Sequence, residues 1–363
     1  MKPTWPTEIA LLAELVATPS VSGSEEAVAR RVQDAARAWN LGVTRDQTGV
    51  KVEVGSSRPG PTLALVSHLD VVPPGEGWTR DPFTPTIVDG RLYGRGSGDA
   101  KASVAAMLAA ASDVAARGGP PRGRLLVLLG HGEETRHTSM PDLAGSAGPI
   151  DAAVVGEPTN LDIAVAQRGL MMVDLVARGD QRHAGYADDD RGNGDGGFVN
   201  ATQRLARDLI ALEGVARERA HPVLGHPTIT PTMLEAGVGR NVTPPVARAV
   251  LDVRTTPAWS HAEIADALRQ SLASEVVVTS DRLVPCETPE HSRLLAAALR
   301  VRPEARCFGS PTCSDWVFLK DCDAIKCGPG TSRNSHAPDE WVTLAEVSVA
   351  REFYARLAAE YLA

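Results

Sequence analysis

The chain has 363 residues, 43% of them hydrophobic and 23% charged, which is typical of a folded protein of about two domains and unlike a disordered chain. The formal net charge is −8 without any basic run, and no apolar run approaches the roughly 18 residues that span a bilayer, so nucleic acid and membranes are excluded as expected partners. Five cysteines without a CxxC pair predict reduced thiols and a cytoplasmic location.

The first half of the chain alternates predicted helices and buried strands. Ser22 and Glu25 have the spacing of a capping box before a helix, and the Ala-rich run Ala102–Ala116 predicts another helix. Short apolar runs predict strands that are buried on both faces at Thr62–Ser67, Leu125–Leu129 and Ala152–Val155. Such strands, separated by helices, are typical of a mostly parallel sheet with covering helices.

The pattern changes after about Ala166, where predicted strands and helices follow in the order βαββαβ, typical of a small two-layer α+β sandwich. From about Pro289 the α/β alternation resumes, and Thr343 with Glu346 predicts a capping box before the last helix. We therefore predict an α/β domain with a mostly parallel sheet in residues 1–166 and 282–363, interrupted by an inserted α+β domain in residues 167–281.

His68 and Asp70 follow the first buried strand. In an extended segment, side chains two residues apart point the same way, so Asp70 can orient the His68 ring toward a metal ion. The alternative is a strand-end histidine followed by an aspartate that closes a turn.

A glycine-rich segment, Gly94–Lys101, places Asp99 at a bend before a helix. A phosphate-binding loop is a poor alternative, because the GxxxxGK[ST] spacing is absent and a carboxylate would repel phosphate. A simple helix cap is the other alternative.

Glu133 and Glu134 follow the strand Leu125–Leu129. Adjacent carboxylates at a buried strand end repel each other unless a cation lies close, and a solvated acid pair is the alternative. No HExxH pattern is present, so the nearby His131 and His137 are predicted to be structural or solvent-facing.

Glu157 follows the strand Ala152–Val155, and His336 lies in a loop rich in Gly and Pro. The carboxyl ends of parallel strands line one crevice, so we expect these acids and histidines to converge there. Two histidines with several carboxylates suit Zn, Co or Mn, and one carboxylate bridging two ions would make a hydrolytic dinuclear site.

Five segments, in this order, resemble the motifs of the M20 family of metallopeptidases and deacylases: SHLDVVPPGEGW, GRGSGDAKAS, GEET, VVGEPT and GPGTSRNSHAPDEWV. The resemblance covers nearly the whole chain, and acetylornithine deacetylase, acetylcitrulline deacetylase and succinyl-diaminopimelate desuccinylase are the nearest members. It implies a metallopeptidase fold for the α/β domain, a dimerisation lid for residues 167–281, and a homodimer formed through that lid.

The resemblance also implies the metal ligands: His68 and Glu157 on one ion, Glu134 and His336 on the other, and Asp99 between them. Asp70 would orient His68. Glu133 would be the general base that takes a proton from water and later protonates the leaving amine. The implied cofactor is Zn²⁺ or Co²⁺, one or two ions per subunit.

Residues of the inserted domain are implied to contact substrate. His183 resembles the histidine that reaches the partner's active site and stabilises the tetrahedral oxyanion, although the proline usual after it is missing here. Arg254 and Asn241, with Gly330, resemble substrate-binding positions, and an arginine can grip a carboxylate with two hydrogen bonds. A structural ion pair is the alternative for Arg254. The acidic run 188–190 would favour a cationic or urea-bearing substrate tail, or else a solvated loop.

We therefore predict a hydrolase that acts on a small-molecule N-acetyl-L-amino acid, N-acetylornithine or N-acetylcitrulline, and releases acetate in arginine biosynthesis. One alternative is a succinyl-diaminopimelate desuccinylase or a dipeptidase on the same scaffold. Another is a catalytically dead binding or assembly protein, whose signature would be a missing ligand or base, and none is missing here.

Overall fold

The computed structural model describes residues 5–186 and 198–363, so the acidic run 188–190 and the glycine-rich run 192–197 lie outside the described residues. The α-helices are α1 (Thr7–Val16), α2 (Glu26–Ala38), α3 (Lys101–Ala116), α4 (Met140–Ser146), α5 (Ala201–Ala211), α6 (His261–Ser271), α7 (Arg293–Val301) and α8 (Leu344–Tyr361). The strands are β1 (Gly42–Asp46), β2 (Gly49–Gly55), β3 (Thr62–His68), β4 (Thr86–Val88), β5 (Arg91–Tyr93), β6 (Arg124–Gly130), β7 (Ala152–Val155), β8 (Ile163–Gln167), β9 (Gly169–Arg178), β10 (Thr228–Ala236), β11 (Val246–Thr255), β12 (Glu275–Leu283), β13 (Cys286–Glu287), β14 (Cys307–Ser310), β15 (Asp323–Lys326) and β16 (Trp341–Thr343).

The chain divides into two compact units. Unit 1 contains residues 1–165, 287–308 and 314–363, and unit 2 contains residues 166–286 and 309–313. The assignment of a catalytic domain to residues 1–166 and 282–363, and of a dimerisation lid to residues 167–281, stays a prediction.

The larger sheet has nine strands in the order β1-β2-β6-β3-β7-β15-β8-β13, with β14 also paired to β8. The strands β6, β3, β7 and β15 run parallel to their neighbours in this group, whereas β1, β2 and β8 pair antiparallel. All seven residues of β3 are buried, as expected for a parallel strand covered on both faces. The predicted α/β fold with a mostly parallel sheet is confirmed.

Helix α3 is the centre of the helical packing in unit 1, where it contacts α1 and α8. Its alanine-rich sequence is buried over most of its length, because small side chains let neighbouring helices approach closely. Within the described residues, no helix has both the length and the apolar character that crossing a bilayer requires.

Unit 2 contains a four-stranded antiparallel sheet in the order β10-β11-β9-β12, with α5 and α6 packed on it. Buried and half-buried side chains alternate along β9 and β11, which is the pattern of a sheet with one face toward a core. β10 is an edge strand, and nearly all of its residues are exposed.

The predicted helix caps had different outcomes. The capping box of Thr343 and Glu346 at the start of α8 is confirmed. The capping box of Ser22 and Glu25 is wrong, because α2 begins at Glu26 and Glu25 makes no side-chain cap. The Ser22 hydroxyl instead donates to Asp70 Oδ2 at 2.7 Å, so this serine supports one of the predicted functional residues.

Candidate metal centre

Asp70 connects the end of β3 to the loop that carries Glu133 and Glu134. The Nδ1 atom of His68 lies 3.1 Å from the main-chain oxygen of Asp70 and 3.5 Å from Asp70 Oδ1. The Asp70 carboxylate accepts hydrogen bonds from the main-chain N–H groups of Glu133 and Glu134, each at 3.0 Å. Burial alone would raise the pKa of Asp70, but the bonds from His68 and Ser22 outweigh it and lower that pKa. Asp70 therefore orients two segments of the centre.

The loop that carries Asp99 is held by Glu340. One oxygen of Glu340 accepts from the main-chain N–H groups of Gly98 and Asp99, at 2.9 and 3.0 Å. The other accepts from Gly96 N–H and from the Arg95 guanidinium at 2.7 Å, where both side chains are 1% exposed. A buried carboxylate with four donors fixes the loop backbone before α3 begins.

The two oxygens of the Asp99 carboxylate face two different histidines. Oδ1 lies 3.4 Å from His68 Nε2, and Oδ2 lies 3.7 Å from His336 Nε2. This is the arrangement expected of a carboxylate that bridges two cations.

Glu134 and Glu157 complete the cluster on its two sides. His336 Nε2 lies 2.9 Å from Glu134 Oε2, and His68 Nε2 lies 3.9 Å from Glu157 Oε1. The ligand atoms of His68, Asp99 and Glu134 all lie within 4.8 Å of one another. The structure thus brings together the side chains that the resemblance implied as metal ligands.

The donor set fits a zinc-like cation. Zn²⁺ binds nitrogen and oxygen ligands at about 2.0–2.1 Å, so ligand atoms around one tetrahedral ion lie about 3.3 Å apart. The distances from histidine nitrogens to carboxylate oxygens given above run from 2.9 to 3.9 Å. The same residues suit Co²⁺, so the geometry of the ligands does not select between the two ions.

The carboxylates of the cluster repel one another. Burial, followed by the neighbouring Asp99 carboxylate, raises the pKa of Glu157 to about 8. Burial also raises the pKa of Glu133 well above its usual range, and it raises the pKa of Glu134. A bound cation would relieve this repulsion, since it favours the ionised form of each carboxyl group.

We expect the zinc affinity of the metal-free protein to increase as pH rises toward about 8. A carboxyl group must lose its proton before it binds metal, and the pKa of Glu157 is about 8.

The same raised pKa affects the stability of the metal-free protein. Between the usual carboxyl pKa of 4.5 and about 8, the folded metal-free protein holds more protons than the unfolded chain. Its free energy of unfolding should therefore decrease as pH rises through this window.

Zinc titration calorimetry at several pH values, in buffers of different ionisation enthalpy, measures both the affinity and the protons released. The Glu157→Gln variant should show a weaker pH dependence than the original protein. A zinc affinity that does not change between pH 6 and 8 would contradict the expectation.

Glu133 has neighbours that the sequence analysis did not assign to the site. Its Oε1 atom lies 3.6 Å from Nδ1 of His137, and that ring nitrogen lies 3.0 Å from Asp315 Oδ1. Glu133 and Asp315 are buried, and the His137 side chain is 11% exposed. Of the two alternatives predicted for His137, structural or solvent-facing, the structural one agrees with the structure, because the ring packs between two carboxylates and near Phe318.

Gly330 lies close to the Asp99 loop within unit 1. Its φ of +83° is in the region that favours glycine, and a Cβ atom at this position would lie 3.3 Å from the Cα of Gly98. Its main-chain oxygen accepts from Asn160 N–H at 2.6 Å. These contacts explain the glycine by close backbone approach, and its substrate role stays a prediction.

His183 and Asn241 lie side by side within unit 2. His183 pairs with Val242 in an isolated antiparallel bridge, and Ala184 N–H donates to the main-chain oxygen of Asn241 at 2.8 Å. The His183 ring is exposed, and its Nδ1 accepts from Gly185 N–H at 3.1 Å. Their roles in oxyanion and substrate binding stay predictions.

Arg254 forms an ion pair within the protein, which was the alternative to a substrate-binding role for this residue. Its Nε and Nη2 atoms donate to the two carboxylate oxygens of Asp252 at 2.8 and 3.0 Å. Arg168 lies close by and donates to the main-chain oxygens of Arg254, His226 and Leu224. Burial, followed by the positive charge of Arg254, lowers the pKa of Arg168. Two guanidinium groups beside one carboxylate leave an excess of positive charge at this point of unit 2.

The chain is similar to a protein-family model, to curated sequences and to solved structures. The chain matches the model of "Peptidase family M20/M25/M40" over residues 64–360. It is 32% identical over 380 residues to the "Succinyl-diaminopimelate desuccinylase" of Rhodospirillum centenum, covering 94% of each chain, and other curated relatives of similar identity carry the same name. Among solved structures, aminopeptidase PepT from Bacillus cereus is similar with a TM-score of 0.81 and 17% identity over 98% of each chain. A dinuclear metal binding peptidase of Bacillus subtilis has a TM-score of 0.75 at 17% identity over 98% of this chain and 97% of that chain.

Proposed function

The chain belongs to peptidase family M20/M25/M40 and is a metal-dependent amidohydrolase of that family, and from this premise we propose that it cleaves the amide bond between a succinyl group and an amino-acid nitrogen. The substrate class is an N-succinyl diamino dicarboxylic acid such as N-succinyl-diaminopimelate. The products are succinate and the free amine.

The observation that carries the hydrolytic chemistry is the Asp99 carboxylate, whose two oxygens face His68 and His336. We propose that His68 and Glu157 would hold one cation, that Glu134 and His336 would hold a second, and that Asp99 would serve both. When bound, such ions supply Lewis acidity, which lowers the pKa of water toward about 7 and polarises the scissile carbonyl.

Glu133 acts as the general base in this proposal. Its buried carboxylate takes the proton from the attacking water and then delivers it to the leaving nitrogen, so that the amine departs neutral. Asp70 holds the backbone of Glu133 through the N–H bond, which keeps the carboxylate in place between the two proton transfers. His183 is proposed to stabilise the oxyanion with a hydrogen bond.

The preference for a succinyl group rests on charge. A succinyl-diaminopimelate molecule has three carboxylates, whereas an N-acetyl amino acid has one. The excess positive charge of Arg254 and Arg168 suits the more anionic substrate, and the curated relatives are named for that reaction. The expectation of N-acetylornithine or N-acetylcitrulline, and of arginine biosynthesis, is not supported by these relatives. The succinyl alternative is the better supported of the two.

A substrate panel tests this proposal. The zinc-loaded protein should release succinate from N-succinyl-diaminopimelate with a kcat/KM at least 100-fold above its value for N-acetylornithine, N-acetylcitrulline or dipeptides. The same measurement on a cobalt-loaded sample compares the kcat/KM that the two metals support. A higher kcat/KM on either acetylated substrate would contradict the succinyl assignment, and no turnover on any member would contradict the hydrolytic proposal.

We expect Arg254→Gln to lower kcat/KM on the succinyl substrate by about 10- to 100-fold, mainly through KM, because a hydrogen bond to a charged group contributes about 1.5–3 kcal/mol. Arg248→Gln is a matched control, since Arg248 is an exposed residue of the same strand β11. Equal losses in the two variants, or no loss in Arg254→Gln, would assign Arg254 to its ion pair with Asp252 alone.

We also propose a homodimer that forms through unit 2. Met233 and Leu234 on the edge strand β10 are 67% and 65% exposed, and an exposed apolar edge strand is a surface for pairing with another chain. Light scattering of the original protein should give twice the 38.3 kDa chain mass, and Leu234→Arg should lower it to that of one chain. A monomer in the original protein would contradict the proposal. We propose a cytoplasmic location on the basis of the five cysteines, which form no disulfide within the part of the chain that the structure describes.

A further inference from the structure

We infer that His137, held by Asp315, is a positioning residue for the Glu133 carboxylate. The inference rests on the proposed role of Glu133 as general base. It concerns a residue pair that lies beside the proposed metal ligands and is not among them.

The hydrogen-bond geometry places one ring nitrogen between two carboxylates. Nδ1 of His137 lies 3.0 Å from Asp315 Oδ1, which is hydrogen-bond distance, and 3.6 Å from Glu133 Oε1. Asp315 is 3% exposed and accepts only if Nδ1 carries the proton, so it fixes the tautomer of the ring. The partial positive charge of this N–H group then also lies close to Glu133 Oε1, which is 3.6 Å from the ring nitrogen, and attracts it.

The backbone of His137 has an uncommon conformation. Its φ is +47°, in the left-handed region where residues other than glycine are uncommon. Its N–H donates to Gly132 O at 2.8 Å and closes the turn that contains Glu133. A conformation of this kind persists when surrounding contacts determine it, and here the contacts of the ring with Asp315 and Phe318 do so.

His137 and Asp315 restrain one carboxylate oxygen of Glu133, which must first accept a proton and then deliver it. The Glu133 backbone is fixed by its bond to Asp70 at 3.0 Å, but the carboxylate can still rotate about its last bond. Attraction of Oε1 to the His137 N–H limits this rotation and leaves Oε2 to accept and deliver the proton. A displacement of about 1 Å at a catalytic group can lower a rate by about 100-fold.

Two variants of His137 separate this role from a general loss of packing. His137→Leu removes the donor, and His137→Asn keeps an N–H group at the position of Nδ1. On the best substrate of the zinc-loaded full chain, we expect kcat to fall by about 10- to 100-fold in His137→Leu, with KM and zinc content unchanged, and to recover to within about threefold in His137→Asn. His131→Asn, in the same loop, is the matched control and should keep the original kcat.

Several outcomes would overturn the inference. These are an unchanged kcat in His137→Leu, equal losses in the leucine and asparagine variants, and a loss of bound zinc in either, which would make His137 a ligand. If His137→Leu does not fold, Asp315→Asn tests the same contact, and an unchanged kcat in that variant would also overturn it.

A spectroscopic readout needs no substrate, so it separates this inference from the proposed function. In ¹⁵N spectra of histidine side chains, the signal that disappears in His137→Asn should report a protonated Nδ1 and should shift in Glu133→Gln. An unprotonated Nδ1, or a signal that does not respond to Glu133→Gln, would overturn the inference even if the enzyme is active. If no substrate turns over but the signal responds, the contact stands and the proposed function fails.

Discussion

Glu133→Gln should lower kcat by about 1,000-fold while the protein keeps its zinc. The amide has nearly the same shape as the carboxylate but cannot accept and return a proton, and general acid–base catalysis contributes about 100- to 10,000-fold to a rate. Burial, together with the neighbouring carboxylates of Glu157, Asp315 and Glu134, raises the pKa of Glu133 well above its usual range. The ionised carboxylate is therefore disfavoured at this position, and because a neutral amide avoids that cost the variant should be no less stable than the original protein.

The neighbouring Glu134 is a proposed metal ligand, so the Glu134→Gln variant is the comparison for Glu133→Gln. Its carboxylate lies 2.9 Å from His336 Nε2, so Glu134→Gln should lower the bound zinc as well as the rate. Steady-state kinetics with metal analysis of both variants measures this difference. A kcat within about tenfold of the original in Glu133→Gln would contradict the base role, and lost zinc in that variant would assign Glu133 to the ligands.

Glu340→Ala should destabilise the protein by about 3–5 kcal/mol, because it leaves the Arg95 guanidinium buried without its ionic partner. The Arg95 side chain is 1% exposed, and its bond to Glu340 is 2.7 Å long. The same change removes the acceptor for the N–H groups of Gly96, Gly98 and Asp99. The loop that carries Asp99 loses its main support, so zinc affinity should fall in the same variant.

Urea unfolding of the metal-free protein measures the change in the free energy of unfolding, and zinc titration measures the affinity. Glu360→Ala is the control, since Glu360 pairs with Arg300 at 2.7 Å but both side chains are largely exposed, at 41% and 60%. An exposed pair contributes about 0–1 kcal/mol. A similar stability for Glu340→Ala and Glu360→Ala would contradict the support proposed for the Asp99 loop.

The sequence predicted the strands of the parallel sheet because their signal is local. The apolar run 62–67 is bounded by Pro and Gly and lies within β3, all of which is buried. The order βαββαβ was also readable from residues 170–278, because the strands β9 and β11 contain short apolar runs at 170–176 and 246–253, which are separated by helical patterns.

Predictions from short patterns failed where a distant residue competed for the same side chain. Ser22 has the spacing of a capping residue, but its hydroxyl bonds to Asp70, 48 residues away. The sequence leaves two alternatives for His137, structural or solvent-facing, and the contact that favours the structural one comes from Asp315, 178 residues away. No periodicity or spacing links such pairs, since they meet only after the strands have assembled.

The sequence by itself determined which residue types stand at the strand ends, and therefore that carboxylates and histidines would gather at one edge of a parallel sheet. Only the tertiary structure decided which oxygen of Asp99 faces which histidine, and which residues hold them there. The reason is physical: strand and helix signals depend on neighbours in sequence, whereas Glu340 reaches Arg95 across 245 residues, and such contacts depend on the packing of the completed fold.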